Sequence, residues 1–169
     1  MELRLRPYRI DDEHVARAAH DVMRADEFEF LLGWRRGEPW DDFVRTCRDI
    51  RRGVNVPEGY VPAAQLAAHV GEDLVGRVSI RFELNDYLAA RGGHIGFGVL
   101  PAYRRRGFAT EILRQALVLA RSEGVSRVLL TCDDDNYGSA AVIERCGGVL
   151  ESVRTSLPND HAFRRYWIS

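Results

Sequence analysis

The chain has 169 residues, enough for one domain with a full hydrophobic core, so no metal or disulfide staple is required. It is 46% hydrophobic and 29% charged, an ordinary globular composition, and Lys and Arg (24 together) against Asp and Glu (25) leave a net charge of −1. That balance removes any global pull toward nucleic acid or an anionic membrane, and no apolar run approaches the roughly 18 residues a membrane span needs.

The opening MELRLRPYRI lacks the apolar stretch of a secretory signal. Cys47, Cys132 and Cys146 match neither a disulfide framework nor zinc spacing. The expectation is a single cytoplasmic domain over residues 1–169, without a metal site.

In chain order, Leu3 to Tyr8 alternates apolar and basic residues and reads as a strand. Asp11 or Asp12 then caps a helix over His14 to Arg24. Asp26 to Arg52 mixes Phe28, Phe30, Trp34, Trp40 and Phe43 with many charges, and predicts one or two short helices around Gly33 and Gly37. Gln65 to Val70 and Leu74 to Leu84 form a hairpin turning at Gly71-Glu72-Asp73. In its second arm Val78, Ile80, Phe82 and Leu84 share one face; Arg77, Ser79, Arg81 and Glu83 share the other, predicted to be polar.

A loop through Asn85 and Asp86 to Gly92-Gly93 leads to a strand from His94 to Leu100. Gly96 and Gly98 weaken that strand unless a bulge or a closely approaching ligand needs the space. Pro101 stops it. A helix from about Arg106 to Glu123 carries Ala109, Ile112, Leu113, Ala116, Leu117 and Ala120 on one stripe, and Gly124 closes it. Val125 to Cys132 is the continuous apolar run of a strand covered on both faces. Asn136 to Arg145 is a shorter helix ended at Gly147-Gly148, and Val149 to Thr155 and Phe163 to Ile168 are strands. The fold class is α/β, with six or seven strands and about four helices.

The chemistry-bearing segment runs from Val99-Leu100-Pro101 through Arg104-Arg105-Arg106-Gly107-Phe108-Ala109-Thr110. A strand ends, an arginine-rich turn follows, and glycine stands where a helix begins. The first amides of a helix have no partners within it, and with the helix dipole they form an anion site that glycine lets a phosphate approach. Taken alone, the string also fits a glycine easing a turn beside a solvated arginine cluster. Nucleic-acid binding through the arginines lacks aromatic interleaving and a basic overall charge.

This segment resembles the acetyl-CoA signature R/Q-x-x-G-x-G/A of the GNAT (Gcn5-related N-acetyltransferase) superfamily, filled by Arg104, Gly107 and Ala109. The family's second cofactor motif resembles Asn136-Tyr137-Gly138-Ser139 leading to Glu144-Arg145-Cys146-Gly147, and the order of elements matches from Leu3 to Ile168. The resemblance implies a mixed central sheet whose splayed strand pair admits acetyl-CoA as co-substrate. It implies that Phe97, Gly98 and Val99 pair with pantetheine, that the amides of Arg105, Arg106, Gly107, Phe108, Ala109 and Thr110 hold the pyrophosphate, and that Asn136, with Ser139 in its motif, lies near the thioester.

The pattern departs from the family in its catalytic groups. Ile143 stands where many members carry a proton-donating tyrosine, and Thr131 where some carry a glutamate base. His94 replaces another glutamate and is the candidate base; Tyr103 and Tyr137 are candidate proton donors. Asp26, Glu27, Glu29, Trp34 and Trp40 are expected on the acceptor wall. The implied function is acetyl transfer to the primary amine of a small molecule or peptide, by direct attack in a ternary complex. The alternative is a catalytically inactive CoA sensor of the same fold. A homodimer is compatible with either, and neither nucleic acid nor membrane is an expected partner.

Overall fold

The computed structural model describes residues 2–155, 157–158 and 160–169. Its elements are β1 (Leu3–Pro7), α1 (Glu13–Met23), α2 (Trp40–Arg51), β2 (Ala63–Val70), β3 (Asp73–Arg81), α3 (Asp86–Ala90), β4 (Ile95–Val99), α4 (Phe108–Ser122), β5 (Val128–Asp133), α5 (Tyr137–Arg145), β6 (Val149–Arg154) and β7 (Phe163–Ile168). Among the described residues no helix is long and apolar enough to cross a membrane.

The seven strands divide into two sheets, ordered β1-β2-β3-β4 and β5-β7-β6, with every neighbouring pair antiparallel. The expected central sheet therefore splits between β4 and β5, which are joined by one isolated bridge, Gly93 to Leu130. Gly93 sits at φ +68°, and a Cβ there would lie 2.4 Å from the Leu129 carbonyl oxygen. Only glycine lets the two backbones come this close.

The main core lies between the sheets and α4 with α5, and holds Ile112, Leu113, Ala116, Leu117, Ile143, Leu130 and Tyr166. The apolar stripe predicted for α4 is its buried face, apart from the half-buried Ala109 near its start. A second core, of Tyr8, Phe30, Leu31, Trp34, Trp40 and Phe43, is built where α1 and α2 cover the first sheet.

Three local expectations change. The region around Gly33 and Gly37 forms no helix; both glycines are left-handed, and one 12-residue helix, α2, follows Pro39. The loop after Asn85 holds a short extra helix, α3, whose cap is Asn85 accepting from the Leu88 amide. The predicted polar face of β3 is not solvated: Arg77 and Ser79 are both buried. Residues 28–31 fold across it. Arg77 donates to the carbonyls of Phe30 (3.1 Å), Glu29 (2.7 Å) and Gly96 (3.2 Å), and its guanidinium lies 4.2 Å over the Phe28 ring. Burial pulls the Arg77 pKa down to about 10, so it stays charged at neutral pH while three carbonyls replace its water.

Gly93→Ala should cost more stability than the roughly 1–2 kcal/mol that left-handed backbone costs an L-residue, because a clash adds to strain. Gly37→Ala, at φ +89° with nothing near its Cβ, should stay within that range. Urea unfolding of the two variants measures the contrast.

Candidate active site

The split between β4 and β5 opens a cleft of about 750 Å³. Its first wall is β4. The His94 carbonyl accepts from Arg81 and the Leu100 amide donates to Val75, so even-numbered residues bond toward β3. By the alternation of an antiparallel pair, the backbone groups of Phe97 and Val99 turn to the open side. Phe97, Gly98 and Val99 all line the cleft.

The floor is the turn into α4. Arg105 (φ +65°) and Gly107 (φ +83°) are both left-handed, the former a strained conformation for a side-chain-bearing residue. The Arg104 amide donates to Pro101, and the Glu111 amide donates to Gly107 at 3.2 Å. Among the described residues nothing accepts from the six amides of Arg105 through Thr110 between them. Bare amides at the positive end of a 15-residue helix, in a turn of alternating hand, form an anion-binding concavity. Arg105, Gly107, Phe108, Ala109 and Thr110 line the cleft. Arg106 does not; its guanidinium lies 5.7 Å over the Tyr103 ring.

The side chain of Arg104 points away from this turn. It donates to the Val99 carbonyl (3.0 Å) and pairs with Asp26 (2.6 Å), so it bolts the anion turn to the segment after α1. Through that bolt Met23, Asp26 and Phe28 become part of the cleft wall. A Cβ on Gly98 would lie 2.5 Å from the Phe28 ring, so this glycine makes room for an aromatic ring on β4. Asp26 is expected on this side from the sequence; Met23 and Phe28 join it through tertiary contacts. Trp34 and Trp40, expected on the acceptor wall, are core residues instead, with the Trp40 indole donating to Arg9.

Opposite, α5 presents Gly138, Ala141, Val142 and Arg145 to the cleft, with Tyr137, Asn136 and Ser139 at its start. Asn136 caps the helix, its Oδ1 accepting from the Ser139 amide at 3.1 Å. Ile143 does not face the cleft: with Ala140 it forms the core side of α5 and is 1% exposed. Thr131 accepts from the Gly92 amide. Tyr103 and Tyr137 line the cleft.

His94 lies outside the cleft lining, buried at the junction of β4 and β5. Its amide donates to the Leu129 carbonyl (2.7 Å), and its ring Nδ1 accepts from the Leu129 amide (2.9 Å). An accepting Nδ1 puts the proton of the neutral ring on Nε2, so neither nitrogen has a free lone pair. Burial, then the charge of Arg81, lowers its pKa and keeps it neutral.

The sequence profile of the acetyltransferase (GNAT) domain family matches residues 2–149. An uncharacterized N-acetyltransferase of Bacillus subtilis is 37% identical over 57 residues, 33% of this chain and 34% of that protein. An acetyltransferase of Pectobacterium atrosepticum is 27% identical over 128 residues, 73% of this chain and 82% of that protein. The fold is also that of a Salmonella typhimurium putative acetyltransferase solved with its cofactor acetyl-CoA, at 13% identity and a TM-score of 0.67, covering 99% of this chain and 93% of that one.

Burial lowers the pKa of His20, His69 and His94 alike. The unfolded chain, with ordinary histidines near pH 6.5, therefore binds more protons than the folded chain below that pH. This stability is complete above about pH 6.5 and is lost as pH falls through the lower folded values. The melting temperature should fall from pH 6.5 toward 5. His94→Gln, which keeps an acceptor for Leu129 without titrating, should make the fall shallower.

Proposed function

The chain belongs to the GNAT acetyltransferase family, and on that premise we propose that it moves the acetyl group of acetyl-CoA to a primary amine in a ternary complex. The observation that carries this reading is the row of amides from Arg105 to Thr110, without acceptors among the described residues, at the foot of a cleft whose β4 wall turns the backbone groups of Phe97 and the amide of Val99 to the open side. Bound acetyl-CoA would supply an acetyl thioester: the amine nitrogen bonds to its carbonyl carbon, the C–S bond breaks, and the departing thiolate takes up the proton lost from nitrogen.

The chain's own part is chiefly to bind and orient. The turn from Arg105 to Thr110 holds the pyrophosphate by main-chain amides and helix dipole. Phe97 and Val99 offer backbone partners to the pantetheine arm, as an added strand would. Asn136 already spends Oδ1 on its cap and keeps its amide nitrogen for the cleft. His94 acts in this reading as a positioning residue. Where two strands part, the Leu129 amide would be left without a partner, and the ring of His94 supplies one. Holding amine and thioester together is itself worth several powers of ten in rate, and a thiol with a pKa near 8.5 leaves without strong acid help.

A second reading, a CoA-binding sensor, is favoured by the burial of Ile143 and the saturated His94. Measuring thiol released from acetyl-CoA across a panel of amines separates the two: turnover supports the enzyme, and tight CoA binding without turnover supports the sensor. CoA at about 100 times its dissociation constant should stabilise the fold by about 2.7 kcal/mol. Gly107→Val should remove most of that gain: a Cβ there meets no protein atom within 4 Å, but a side chain strains the left-handed backbone (φ +83°) of the turn and stands where the phosphate belongs. His94→Gln should retain turnover that His94→Ala loses. Equal loss in both variants would return His94 to the role of base.

A further inference from the structure

On the face of β3 and β4 that residues 28–31 cover, two arginines converge on one glycine. A Cβ on Gly96 would lie 3.5 Å from Nη1 of Arg81 and 3.8 Å from Nη1 of Arg77. Arg77 is accounted for by three carbonyls and the Phe28 ring. Arg81 is not: among the described residues no carboxylate, carbonyl or hydroxyl lies within bonding distance of its guanidinium.

Arg81 is nevertheless partly buried, and burial lowers its pKa with only the Tyr87 phenol acting against that. Its neighbours add no negative charge; its cation depresses both Arg77 and His94. An uncompensated, partly desolvated guanidinium is costly, and a planar fork of donors is matched best by an oxyanion.

The position relates it to the reaction. Gly96 and Gly98 share one face of β4, about 6–7 Å apart at a strand's rise. Gly98 lines the cleft with the Phe28 ring packed over it, and Asp26 and Phe28 line the same cleft. Asp26 on the cleft wall is already paired with Arg104, whereas Arg81 is unmatched among the described residues, and an unmatched guanidinium suits a substrate that carries a negative group. We propose that the acceptor amine carries an oxyanion, a carboxylate or a phosphate, which Arg81 holds over Gly96 while the amine reaches the cleft beside Gly98. This names the substrate class of the site and rests on the acetyltransferase reading.

Thiol release should be measured with 4-aminobutyrate against 4-aminobutyramide, phosphoethanolamine against ethanolamine, and pentapeptides beginning with Asp against Asn. The arms distinguish carboxylate from phosphate and small acid from peptide. In at least one pair the anionic member should have a kcat/KM at least tenfold higher. That preference should collapse toward one in Arg81→Gln and return in part in Arg81→Lys, with CoA affinity unchanged as the folding control. Neutral amines used as well as their acids, or a preference that survives Arg81→Gln, would overturn the proposal.

A binding arm is independent of turnover. With CoA saturating, 4-acetamidobutyrate or N-acetylphosphoethanolamine should raise the melting temperature of the unsubstituted chain more than its neutral counterpart does, and more than it raises that of Arg81→Gln. Equal shifts reject the oxyanion site even if no amine turns over. Unequal shifts without turnover keep the site and reject the enzyme.

Discussion

β4 and β5 touch at one end only, where left-handed Gly93 seats against the Leu129 carbonyl and His94 returns both backbone groups of Leu129. Beyond that clasp no ladder joins the two sheets among the described residues. A parted sheet exposes unpaired amides and carbonyls, which costs free energy unless something pairs with them. On the β5 side the ring of His94 deals with the first of these. On the β4 side Arg104 takes the Val99 carbonyl, while the groups of Phe97 and the amide of Val99 stay open, and an extended polar ligand chain is a suitable partner for them.

A second constraint concerns charge. The anion turn keeps its amides bare by holding Arg105 and Gly107 in left-handed backbone, and the arginine that opens the motif is turned away to grip Asp26 and the Val99 carbonyl. An ion pair therefore joins the cofactor turn to the segment after α1. Arg77 fastens the other end of that segment through the carbonyls of Glu29 and Phe30, and stacks on Phe28. These two arginines tie the segment after α1 to the face of β3 and β4, and among the described residues Arg81 has no partner of its own.

Much of this was legible in the sequence where local chemistry dominates. The 3.6-residue spacing of Ile112, Leu113, Ala116, Leu117 and Ala120 predicts the buried face of α4, and the glycine after an arginine-rich turn predicts its N-terminus. What failed depended on tertiary partners. Arg77 alternates with apolar neighbours and so reads as solvated, until residues 28–31 cover it. Ile143 stands seven residues after Asn136, but Asn136 is a cap outside the helix. The cleft face of α5 is Gly138, Ala141, Val142 and Arg145, and Ile143 falls on the core side. For His94 a pKa suited to a base was visible, whereas the Leu129 amide that occupies its lone pair comes from a strand 35 residues away.

Hydrogen exchange resolved to single amides, with and without saturating CoA, tests the central claim most directly. The amides of Arg105 through Thr110 have no partner among the described residues and should exchange rapidly in the free chain. They should slow by at least tenfold with CoA, together with those of Phe97 and Val99. If the chain is saturated with CoA and these amides exchange as before while protection appears elsewhere, the anion turn is not the cofactor site.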